Sequence, residues 1–122
     1  LPDTTLLKPE AFAVRFLRAS FEGLMYCRNH PSECVDIVTK VDPTLNRQRM
    51  KWMMNEVNAL IWPSRSGIGR MDKPRWEHAV QMLQTSGMLK TPPSEKAYRT
   101  DLAEKALQGI TGDAKGLYWK KP

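Results

Sequence analysis

Apolar positions recur every three to four residues along most of this chain, the period of a helix buried on one side. Pro9 suits a first helical turn, where its missing N–H costs nothing. From there Phe12, Phe16, Ala19, Gly23 and Cys27 fall on one face, with Ala13, Leu17, Phe21 and Leu24 beside them. The spacing predicts an amphipathic helix with a wide buried stripe. Gly23 within it costs about 1 kcal/mol against Ala, so a closely approaching neighbour is expected to compensate. Pro31 disfavours helical geometry at His30 and ends the run near Asn29.

Pro31 opens a second, shorter helix whose inward residues are read as Cys34, Ile37, Val38 and Val41. Asp42-Pro43 reads as the cap and first position of a third helix, from about Thr44 to Ile61. It presents Met50, Met53, Met54, Val57, Leu60 and Ile61, methionines at helical spacing being core filling. Trp62-Pro63 breaks it and begins the one substantial loop, Ser64 to Met71. Asp72 is then expected to cap a fourth helix with Pro74 in its first turn and Trp76, Ala79, Val80 and Leu83 inward. It ends at Ser86-Gly87, Gly87 taking the left-handed position and Met88 packing back. Ser94 and Thr100 read as caps of two short helices, Glu95 to Tyr98 and Asp101 to Leu107.

No alternating strand pattern of any length occurs, although Leu1 to Leu7 reads as extended. The expected fold is an all-α, single compact domain of about five to six helices over residues 1–108. Residues 109–122, with three glycines, are expected to form a loosely ordered tail. A chain of 122 residues supports one core of this kind without staples.

Charge narrows the partners. Nineteen Lys and Arg against 13 Asp and Glu leave +6, yet the bases are interspersed with acids, and Lys120-Lys121 is the one adjacent lysine pair. No basic run tracks a phosphate backbone, so no nucleic-acid partner is expected. Nothing approaches the ~20 apolar residues of a membrane span, and Leu1 onward lacks a signal-peptide layout. Cys27, His30 and Cys34 spell C-x2-H-x3-C, but a structural zinc needs four ligands and the other histidine, His78, is distant in sequence. Two thiols facing each other across a helical hairpin, bridged or free, is the favoured reading; no metal and no cofactor are expected.

The chain carries no Gly-x-Ser-x-Gly elbow, Walker loop or His-Glu-x-x-His helix, and it reads as a non-enzyme. The glycines of Gly67-Ile-Gly69 lack a third partner and a preceding strand, so they read as turn formers. Around them Trp62, Arg65, Arg70, Asp72 and Trp76 form an aromatic and charged loop ending at a helix N-terminus. With Gly67 and Gly69 they make the candidate ligand-binding set, suited to an anionic or aromatic solute. Anchoring in the core is the competing role for Trp62 and Trp76, and plain solvation for Arg65.

Several spaced motifs agree in order with one family. Pro9…Phe16-Leu17-Arg18-Ala19…Glu22-Gly23 is followed by His30-Pro31-x-Glu33-Cys34, then Trp62-Pro63. Gly67-Ile-Gly69-x-Met71-Asp72…Arg75-Trp76 and Gly87-Met-Leu89 complete the series. Together they resemble the C-terminal part of the periplasmic solute-binding proteins of ABC importers for thiamine-pyrimidine precursors, sulfonates and similar small molecules. The resemblance spans about Leu1 to Leu107. It implies a transport role, a small solute and an importer permease as partners of the intact protein, and a periplasmic or exported location. Members have two α/β lobes and are more than twice this long, so one copy of this chain lacks a complete cleft. Cys27 and Cys34 stand where members have small residues.

A helical layer that normally lies on a sheet exposes apolar surface when isolated, which predicts a homo-oligomer, most simply a two-fold dimer. The leading expectation is therefore a fragment or free-standing remnant of an importer's solute-binding protein. The alternative is a helical protein-interaction or self-association module with no small-molecule ligand.

Overall fold

A computed structural model of the chain describes residues 10–122. Its α-helices are α1 (Glu10–Asn29), α2 (Pro31–Val41), α3 (Arg47–Ile61), α4 (Lys73–Thr85) and α5 (Asp101–Gln108), with a 3-10 turn at Glu95–Ala97. The fold of the described residues is all-α, a single domain of five helices without strands. The extended reading of Leu1 to Leu7 and the helix-opening role of Pro9 lie outside the described residues.

The core forms where α1 crosses α5. Phe21 and Met25 of α1 meet Ala103 and Ala106 of α5, together with Trp62 and Ile68 from the loop after α3. The two alanines let the helix backbones approach closely, and Val14, Leu17 and Leu107 close the margin. Arg18 fixes the end of α5: its Nε donates to the Ala106 carbonyl at 3.2 Å, one of the acceptors a helix terminus leaves open.

This crossing buries one flank of the wide stripe expected on α1 and leaves the other flank open. Ala13, Phe21, Met25 and Arg28 are buried, whereas Phe12 and Phe16 are 45% and 50% exposed and Leu24 is exposed. Among the described residues no neighbour compensates Gly23, because a methyl group there would meet none of their atoms within 4 Å. Phase within the helix decides this: among the described residues α5 takes the Leu17–Phe21–Met25 row and leaves Phe12 and Phe16 exposed.

The α1–α2 corner is a hairpin closed by a disulfide between Cys27 and Cys34, with their Cα atoms 5.5 Å apart. Tyr26 stacks on His30, and its hydroxyl donates to Glu33 Oε2 at 2.8 Å, which pushes the phenol pKa up. The covered side of α2 centres on Cys34 and Val35, while Ile37, Val38 and Val41 are exposed rather than inward. Among the described residues α1 and α3 are the helices that pack extensively on α2.

α3 starts later than the sequence suggests. Asp42 Oδ1 accepts from the Thr44 N–H at 3.0 Å and its hydroxyl at 2.6 Å, spending the side chain on a local turn. Asn46 is the cap instead, accepting from the Arg49 N–H at 2.9 Å. Of the expected inward residues, Met50, Met54 and Ile61 are half-buried; Met53, Val57 and Leu60 are exposed.

α4 projects from the rest, buries none of its residues and makes no extensive contact with another helix. Trp76 and Val80 are half-buried, but Ala79 and Leu83 face solvent. Gly87 does take the left-handed conformation, at φ +73°, and the Leu89 N–H closes back on the Leu83 carbonyl at 3.0 Å. Met88 is 79% exposed and does not pack back; Leu89, half-buried, sits at the following position. Asp72, Ser94 and Thr100 occupy cap positions without side-chain capping bonds.

Residues 109–122 differ from the loose tail expected. Ile110, Ala114 and Trp119 pack on the core, and the Ser64 and Ile68 N–H groups donate to the Lys115 and Ala114 carbonyls at 2.8 and 2.9 Å. Asp113 Oδ1 gathers the Lys115 and Gly116 N–H groups, turning this segment without helical periodicity. Irregular backbone with its own hydrogen-bond partners carries no pattern legible to a periodicity reading.

Two outcomes follow from the corners of this fold. Replacing both cysteines by serine removes a cross-link spanning seven positions and costs about 2 kcal/mol in urea denaturation, matched by adding reductant to the native protein. The second concerns acid. The Arg47 hydrogen bond holds the Asp36 carboxyl below its ordinary 3.8, as Arg99 does for Asp101 and Thr44 for Asp42. A lowered folded pKa means the stabilisation is complete above the unfolded value and lost as pH falls through the folded one. The melting temperature therefore drops below about pH 3.8, and Asp36→Asn, already without that charge, shows a shallower drop in the same titration.

Candidate functional site

The loop from Trp62 to Asp72 is built from the inside outward. Trp62 follows α3 as its C-cap and is 2% exposed, with Pro63 behind a cis peptide bond. Ile68, 4% exposed, is the second anchor. Between and beyond them Gly67 and Gly69 take φ values of +97° and +76°, which explains the glycines without a phosphate. A methyl group on Gly69 would overlap the Phe21 ring, so the loop backbone lies directly against α1.

Trp62 has a partner that sequence periodicity did not identify. Arg28, 7% exposed near the end of α1, places its guanidinium 4.5 Å from the centre of the Trp62 ring. The same group donates from Nε to Asn29 Oδ1 at 3.0 Å and from Nη1 to the Asp113 carbonyl at 2.9 Å. Asp113 Oδ2 stands 3.6 Å from Nη1 and supplies the opposite charge. Gly116, at φ +57°, fits between them: an added methyl would come within 2.6 Å of Arg28 Nη1 and 2.7 Å of the Trp62 ring. A cation at the buried edge of a helix is a weak sequence signal, and its ligands lie 85 residues away. The Trp62 indole N–H is buried and has no hydrogen-bond partner among the described residues.

The remaining candidate residues do not converge. Arg65 is exposed. Arg70 turns to Glu104 of α5, 2.9 Å away, along an open pocket of about 330 Å³ that also borders Ser66, Gly67 and Lys115. Asp72 faces Arg75 at 3.9 Å at the start of α4. Trp76 turns away from the loop and packs against Tyr98 in a tilted contact, with ring centres 4.7 Å apart and planes at 42°. That pair walls a groove of about 510 Å³ between α4 and the Pro92–Ser94 segment, bordered by Glu77, Gln81 and Gln84. Tyr98 was absent from the candidate set because nothing local marks a tyrosine after a 3-10 turn.

The set thus divides among three places: the buried anchor Trp62, an open pocket shared by Gly67 and Arg70, and a groove to which Trp76 alone of the set contributes. Both cysteine sulfurs are consumed by their disulfide, so Cys27, His30 and Cys34 form no thiolate donor set. Among the described residues no cluster of three His, Cys, Asp or Glu side chains has metal-binding geometry.

Comparison of the chain with models of protein families, with curated proteins and with solved structures finds no match. The geometry separates two arginines by experiment. Arg28→Ala removes a buried stacked cation and leaves the Asp113 carbonyl unpaired, lowering stability by about 2–3 kcal/mol. Arg70→Ala, at an exposed ion pair, lowers it by under about 1 kcal/mol. Urea titrations of the two variants check the ordering, and equal losses would contradict the structural role given to Arg28.

Proposed function

We propose that the chain is the C-terminal helical part of a solute-binding protein serving an ABC importer of small molecules. The order of motifs from Pro9 to Leu89 supports this reading. Its physical support is the exposed row on α1, where Phe12, Phe16 and Leu24 lie around a glycine that none of the described residues approaches within 4 Å. A helix interior that keeps glycine at a cost of about 1 kcal/mol suits a face made for close contact with another layer. α4, projecting with no buried residue, offers a second open face.

In the intact protein these faces lie against the α/β lobes, and the solute is held where the lobes close on each other. The described helices then support the cleft, and the groove beside Trp76 and Tyr98 borders a lobe contact. The pinned Trp62–Asp72 loop sets the direction in which α4 leaves the core. A disulfide suits an exported, oxidising compartment, and the proposed location is the periplasm. The solute class proposed is that of the resembled group, thiamine-pyrimidine precursors or sulfonates; the chain itself performs no catalysis.

The exposed Phe12, Phe16 and Leu24 also favour a second reading, in which two copies cover each other's α1 faces as a two-fold dimer without a small solute. Substitution at Gly23 separates the readings. Gly23→Ala stabilises this chain by about 0.5–1 kcal/mol, since the added methyl meets nothing and the helix gains propensity. Gly23→Leu in the complete importer component blocks the layer contact and abolishes solute binding measured by calorimetry; full binding would overturn the importer reading. Under the self-association reading, sedimentation equilibrium of this chain instead shows a dimer that Gly23→Leu dissociates.

A further inference from the structure

No further inference is drawn: the strongest candidate, the open groove between α4 and the Pro92–Ser94 segment walled by Trp76 and Tyr98, is an uncovered face with nothing in the structure to show what occupies it.

Discussion

Stacking of Arg28 on Trp62 is the constraint on which the rest of this fold depends. A guanidinium is expensive to bury, and apart from the neighbouring Asn29 Oδ1 its compensation comes from distant parts of the chain. The aromatic face comes from the end of α3, the carbonyl and the carboxylate from Asp113, and the space from Gly116. Satisfying one side chain therefore fixes the end of α1, the exit of α3 and the segment after α5 relative to one another. With Trp62 held, Ile68 and Gly69 fall against Phe21, and the loop has little freedom left.

The charge pairs nearer the surface have a different weight. Asp36 with Arg47 and Arg99 with Asp101 are exposed, and solvent screens what they contribute. They bias the α2–α3 corner and the entry to α5, where the chain has already turned. Glu10 reaches both Lys105 and Arg99, so charge ties the start of α1 to α5 and to the residues just before it. The molecule is most tightly specified around Trp62 and least specified along α4, which buries no residue and meets Tyr98 through the tilted Trp76 ring.

Local rules made the helices legible and left their packing obscure. Pro31, the Trp62-Pro63 break and Gly87 marked boundaries because each acts on its own backbone, and the structure places boundaries there. Asp42 misled because an Asx turn and a helix cap use the same side chain, and only the competing Asn46 decides between them. The buried row of α1 was not legible because both rows are apolar, and which one is covered depends on where α5 returns about 80 residues later. Of the candidate residues, the two loop glycines were readable as turn formers. The separation of Trp62 from Trp76 was not, since proximity in sequence says nothing about which side of a helix start each ring takes.

The central claim is the proposal that this domain, tightly packed around Trp62 and with exposed apolar residues along α1, is one layer of a larger protein. The most direct measurement is the mass and location of the native polypeptide, detected in fractionated source cells with an antibody raised against residues 10–122. The account predicts an exported species more than twice the 14.0 kDa of this chain. A stable 14.0 kDa species retained in the cytoplasm, with no larger form, would contradict it.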